Sequence, residues 1–204
     1  MAASYLEASL DKEYRVTRDS FSGKSEKQSG HGSVEWAVTW YGGDGFLNSY
    51  CNTIPTPEGG THEQGFRTAL AKGLRAYGEL TNNKKAGQIV AEDVIGTAAG
   101  MLSVFIREPE FQGQTKDKLA TVEAGRIVEA AVRDAFDHWL ADSPQQATRL
   151  LEWAVDQSEE RLKRRREKEV SRQSATRKLR LPGKLWDCSA TSGETEIFIV
   201  EGDS

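Results

Sequence analysis

The residues best suited to chemistry are a glutamine and a lysine two positions apart in the stretch FQGQTKDKL, residues 111–119. Gln114 carries a neutral amide donor and Lys116 a compact cation, a pair of groups that suits a terminal phosphate. Gly113 lets backbone approach a ligand closely. The same pattern also reads as a polar loop with an exposed lysine. A second candidate is Glu201, which follows the apolar run 197–200 in EIFIVEGDS. A strand that delivers an acid and a glycine to its C-terminal end is how α/β folds build metal or phosphate sites. A glutamate at a strand end can equally be solvated.

The third candidate is the basic stretch LKRRREKEVSRQSATRKLRLPGK, residues 162–184. As a solvated helix it would be laced by i,i+4 pairs such as Glu159–Lys163 and Glu160–Arg164. As a phosphate-facing surface it would present Arg164, Arg165, Arg166, Arg172, Arg177, Lys178, Arg180 and Lys184. It has no a/d seam for a coiled coil. None of its side chains is arranged to read bases, so any DNA binding should be sequence-independent. The remaining polar groups carry weaker signals. His31, His62 and His138 share no ligand spacing and no cysteine joins them, which argues against zinc. The GGTH stretch at 59–62 is a turn and helix entry, open either to an anion on its backbone N–H groups or to a plain cap.

The elements that must position these residues follow from periodicity. Val34, Trp36, Val38 and Trp40 alternate as a half-buried strand, the GGDG turn follows, and residues 46–53 are expected to return as its hairpin partner. Thr61 is placed to cap a helix over 62–80. A short helix near 92–95 precedes a second core strand at 101–106. The next helix, 121–140, has the cleanest pattern: Ile127/Val128, Ala131/Val132, Ala135/Phe136 and Trp139/Leu140 recur every four residues. Ser143-Pro144 opens another helix, whose first half buries Leu150, Leu151, Ala154, Val155 and Leu162. From 163 to 178 only Val170 and Ala175 interrupt polar residues, so that half has no core to join. Strands followed by helices without regular βαβ alternation predict an α+β layer with helices on one face.

Composition bounds the rest. A chain of 204 residues can bury one good core with appendages. Residues 157–186 hold eleven Lys or Arg against four Glu, a balance of +7, which leaves −11 for the rest of a chain of net charge −4. Two cysteines, Cys51 and Cys188, fall far apart, which argues for a reducing compartment and against a disulfide framework. No apolar run approaches the ~20 residues that span a bilayer, and no signal-peptide core is present. A cytoplasmic protein is expected.

Five stretches together bring a resemblance into view: LPGKLWDC at 181–188 followed by IVEGDS, SVEWAVTWYGGDGFLNSYCNTIPTPEGGTH at 33–62, GFRTALAKGL at 65–74, and FQGQTKDKL. In this order and spacing they resemble the B subunit of bacterial type IIA DNA topoisomerases, over most of the chain from about residue 32. The Trp-rich strand, the NTIPTPEGGTH turn and AEDVIG at 91–96 look more like the topoisomerase IV B subunit than the gyrase B subunit. The resemblance implies a transducer domain, a split β-α-β arrangement with a left-handed crossover of the ribosomal-protein-like kind, where the generic hand is the opposite. It implies a polar linker at 1–31 after a missing ATP-binding domain, the transducer at 32–156, a basic connecting helix and linker at 157–186, and the incomplete first strand of an α/β TOPRIM domain at 187–204.

The same resemblance assigns roles. Gln114 and Lys116 would reach the γ-phosphate of ATP held by the preceding domain, as the family's QTK loop does. Glu201 would be a catalytic Mg²⁺ ligand near the scissile phosphate, with its Asp-x-Asp companions missing here, so that one carboxylate alone should hold the metal poorly. The partners implied are the topoisomerase A subunit, a second B subunit in an A2B2 assembly, and duplex DNA, with no membrane. The strand-cleaving tyrosine belongs to the A subunit. The fragment alone is expected to be inactive, cut as its next domain begins. Three alternatives stand beside this: a gyrase B fragment, another ATPase of the superfamily such as a mismatch-repair protein, and a stand-alone basic module that binds nucleic acid through residues 162–184.

Overall fold

The computed structural model describes residues 15–26 and 32–178, with side chains to residue 172. The chain divides into two compact units, 1–161 and 162–204. In the first, five strands form one sheet: β1 (Phe21–Ser25), β2 (Ser33–Trp40), β3 (Phe46–Cys51), β4 (Ile54–Pro55) and β5 (Ala98–Phe105), in the order β1-β2-β5-β3-β4. Between β4 and β5 run helix α1 (Thr61–Leu80), a short 3-10 turn and α2 (Ala91–Ile95). A two-stranded hairpin, β6 (Phe111–Gln112) and β7 (Lys118–Leu119), leads into α3 (Val122–Asp142) and then α4 (Pro144–Lys178). The architecture is α+β, as the element pattern predicts.

Strand alternation and helix periodicity meet in one core. Val34, Trp36, Val38 and Trp40 of β2 are buried and sit opposite Val104, Leu102, Gly100 and Ala98 of β5. Helix α3 lays its four-residue stripe Val128, Val132, Phe136 and Leu140 into that core, while the adjoining stripe at Ile127, Ala131, Ala135 and Trp139 is partly buried. Phe136 lies 5.0 Å from Phe21 and 6.1 Å from Trp40, ring centre to ring centre. Burying each such ring contributes about 1.5–3 kcal/mol. Where α1 crosses α3 the backbones touch: a Cβ at Gly65 would run into the carbonyl of Gly125. That contact brings the first turns of the two helices together.

The structure corrects several expectations. Residues 46–53 do not return as a hairpin partner of β2; β5 lies between them, antiparallel to β2 and parallel to β3. The long excursion through α1 lets a strand remote in sequence take the central place, which the turn GGDG could not disclose. Residues 21–25, read as polar linker, form β1 along β2, because the lone aromatic Phe21 is buried among Trp36, Phe136 and Trp139. Thr61 is the first residue of α1 rather than its cap, and its hydroxyl donates to the Thr121 carbonyl at 2.7 Å. Glu159 does not pair with Lys163 but with Lys85, at 2.5 Å.

Helix α4 begins at Pro144 and buries Ala147, Leu150, Leu151, Ala154 and Val155 in the first unit. Its register there is fixed by Arg161, whose Nε and Nη2 donate to the two oxygens of the buried Asp93 carboxylate at 2.8 and 3.1 Å. Asp93 also caps α2, accepting from the Val90 N–H at 2.9 Å. In the second unit Leu162 is half-buried rather than buried, and residues 163–172 are exposed.

Candidate functional site

Gln114 and Lys116 stand at the tip of the β6–β7 hairpin, both exposed, in a loop that runs through Gly113 at φ 75° and Lys116 itself at φ 60°. A lysine in the left-handed region is uncommon and is held there by its surroundings. Those surroundings are backbone hydrogen bonds to the turn before α1. The Glu58 N–H donates to the Asp117 carbonyl at 3.0 Å, and the Leu119 N–H to the Gly59 carbonyl at 3.0 Å. Leu119 is buried beneath the hairpin. The base is closed by the Ala120 N–H to the Glu110 carbonyl at 2.8 Å and by the Glu110 N–H to the Thr121 hydroxyl at 2.8 Å. Two flexible polar side chains therefore project from a backbone that is tied on both sides.

Beneath this turn lies a buried polar chain that sequence reasoning did not find. His62 Nε2 is 3.1 Å from the Thr56 hydroxyl, which is 2.7 Å from the Ser49 hydroxyl, which donates to Glu63 at 2.7 Å. One proton assignment satisfies every step: His62 Nε2–H to Thr56, Thr56 to Ser49, Ser49 to the carboxylate. His62 is wholly buried, and desolvation pushes its imidazole down to about 4, so it is neutral in neutral solution. Its Nδ1 has no hydrogen-bond partner. Burial likewise raises the Cys51 thiol to about 11, which makes it an inert core group.

The basic residues are distributed differently. Arg164, Arg165, Arg166 and Arg172 are exposed along α4 in the second unit. Arg177 and Lys178 lie on the helix with side chains outside the described residues, and Arg180, Lys184 and Glu201 fall outside them altogether. The structure thus brings Gln114 and Lys116 onto one loop and gives no account of Glu201. Among the described residues no group of three or more His, Cys, Asp or Glu could hold a metal ion, and no helix is long and apolar enough to cross a membrane.

With this geometry in hand, three comparisons bear on identity. Residues 2–170 match the family model for DNA gyrase B. The chain is 60% identical over 201 residues to the B subunit of DNA topoisomerase 4 from Bartonella bacilliformis, covering 98% of this chain and 29% of that protein. Among solved structures it is similar to the topoisomerase IV ATP-binding domain of Francisella tularensis bound to a small-molecule inhibitor, with TM-score 0.66 and 26% identity over 78% of this chain and 43% of that one. It is similar too to the 43K ATPase domain of Thermus thermophilus gyrase B bound to an aminocoumarin, with TM-score 0.68 and 27% identity over 83% and 46%. The chain spans under a third of the length of the curated relatives it matches.

Proposed function

The chain belongs to the DNA gyrase B family, and from that premise we propose that it is the transducer segment of a topoisomerase IV B subunit, with the start of its TOPRIM domain. The observation that carries this reading is the tethered hairpin, which offers Gln114 and Lys116 to something outside its own fold. The similarity to ATPase-domain structures of which this chain covers less than half supports a nucleotide-holding partner domain in the same subunit. The 60% identity to a topoisomerase IV B subunit favours that paralogue over gyrase, over a mismatch-repair relative and over a stand-alone nucleic-acid module. The ribosomal-protein-like kinship and the left-handed crossover belong to the same reading.

In this role Lys116 places its ammonium, and Gln114 its amide, on the terminal phosphate of ATP. Two such contacts contribute roughly 2–5 kcal/mol. That biases a two-state interdomain hinge by tens to thousands of fold, and the bias vanishes when the phosphate leaves. The whole protein would use this coupling, with the A subunit and a second B copy in an A2B2 assembly, to pass one DNA duplex through another in the cytoplasm. The exposed arginines of α4 would line a sequence-independent DNA surface. Among the described residues no group of acids or histidines fits Mg²⁺, and Glu201 by itself would supply one carboxylate to a cation that demands six oxygens.

Lys116→Ala in the complete B subunit, assayed with its A subunit, decides the matter. Turnover and strand passage should fall by about two orders of magnitude or more, while nucleotide affinity weakens far less, the pattern of a contact made chiefly in the closed state. Gln114→Ala should do the same more mildly, since it removes a neutral donor. Near-normal hydrolysis and strand passage in Lys116→Ala would end the sensor reading.

A further inference from the structure

The stretch NTIPTPEGGTH, residues 52–62, touches both ends of the connection 106–121 between β5 and α3, the loop whose middle is the hairpin that carries Lys116. On the entry leg, Asn52 stands in for a missing strand partner where β5 ends. Its backbone N–H donates to the Val104 carbonyl at 2.9 Å. Its side-chain amide then spans Ile106, donating to the Ile106 carbonyl at 2.9 Å and accepting from the Ile106 N–H at 3.0 Å. Asparagine suits the place because it tolerates the left-handed φ of 50° and carries both a donor and an acceptor on a short arm.

On the exit leg, Gly60 lies against Leu119, and the two form an isolated parallel bridge. Gly60 has φ 143°, and a Cβ there would fall onto the backbone N and O of Leu119. The flanking bonds, Glu58 to Asp117, Leu119 to Gly59 and Thr61 to Thr121, bind the same leg from either side. Between the two clamps, the Thr56 N–H donates to the Ser49 carbonyl at 2.9 Å, and the Ser49–Thr56–His62 chain pins the segment from below.

We propose that Asn52 and Gly60 are positioning residues for Lys116: one segment grips the entry and exit of its loop and fixes where the ammonium stands. The proposal rests on the reading of Lys116 as the phosphate contact, and it adds which residues decide whether that contact is made. A displacement of about 1 Å at a charged contact can cost a hundredfold in rate. Loosening either leg should therefore act on turnover through Lys116 and leave the nucleotide pocket of the partner domain intact.

The test uses the complete B subunit with its A subunit. Asn52→Leu and Gly60→Ala should each slow ATP turnover by about tenfold or more, with nucleotide affinity changed by less than about threefold. Each, combined with Lys116→Ala, should be no slower than Lys116→Ala alone, because the damage passes through the same group. Asn52→Asp keeps the acceptor for the Ile106 N–H and should recover part of the loss. Amide exchange in the intact protein should quicken over residues 106–121 and stay unchanged over 124–140. Normal turnover in Asn52→Leu beside a crippled Lys116→Ala overturns the proposal and leaves the sensor reading standing. Multiplying effects in the double variants, or exchange that spreads into α3, make the segment merely structural and overturn it too. If Lys116→Ala is itself normal, the sensor reading fails and the proposal with it. Should Gly60→Ala not accumulate folded, Asn52→Leu and Asn52→Asp carry the decision alone.

Discussion

The hairpin at 111–119 and the basic half of α4 both present cations to solvent, yet they are built on opposite principles. The hairpin has two candidate side chains and a backbone tied at Glu58, Gly59, Glu110 and Thr121, with Leu119 buried beneath. The helix has many candidate side chains on residues 163–172, all exposed, with only Val170 among them apolar. A fixed backbone gives each residue a definite place, so single changes should matter greatly. Distributed charge gives a field, so single changes should matter little and salt should matter much.

The largest expected contrast is in stability. Leu119→Ala removes a fully buried side chain from under the hairpin and should cost about 2–5 kcal/mol, whereas Val170→Ala, at a position 65% exposed, should stay within about 0.5 kcal/mol. Urea denaturation of the 204-residue chain measures both. Equal costs at the two sites would erase the distinction between a seated loop and a solvated helix.

A second, smaller effect sharpens the same contrast through pH. The pKa of His62 is lowered by burial from its ordinary 6.5 to about 4, so between these values the unfolded chain binds a proton that the folded one refuses. Stability is therefore full above about pH 6.5, declines as pH falls, and by about pH 4 has lost on the order of 3 kcal/mol from this residue. Denaturation curves between pH 7 and 4 should show the decline, and His62→Gln should flatten it. Peptides over the hairpin should lose amide protection along with the chain beneath them, while residues 163–172, with no such group below, should not respond. An unchanged pH profile in His62→Gln would mean that the buried polar chain does not hold the turn.

How much of this was legible depends on distance along the chain. The stripe of α3 was, because a four-residue repeat of Val128, Val132, Phe136 and Leu140 is a local signal of one buried face. So was the end of the apolar seam in α4. The partner of β2 was not: β5 arrives from some sixty residues away, and turn chemistry at GGDG speaks only for its neighbours. Nor was β1, where one phenylalanine overrides a polar segment. Asp93 and Arg161 are 68 residues apart, and nothing in either neighbourhood announces the other. The loop residues Gln114 and Lys116 could be named from their types, but the clamp that holds them could not, since a glycine at φ 143° looks like any other glycine in a sequence.

The smallest expected effect concerns one arginine on α4. If the helix is a surface and not a site, each neutralised phosphate contributes about −0.9 to the dependence of log affinity on log salt. Arg166→Ala in the 204-residue chain should then flatten the salt slope for a short duplex by up to about 0.9. Between 50 and 200 mM salt that alters the ratio of wild-type to variant affinity by only about threefold. Arg165→Ala should match it. Arg164 and Arg172 already engage other groups in the chain, so part of their charge is spent before DNA arrives and their removal should register less. Two unrelated duplexes should give superimposable titrations, because charge without base-reading geometry cannot tell them apart. A single variant that abolished binding, or a preference for one duplex over the other, would turn the field into a site. The helix would then obey the same rule as the hairpin.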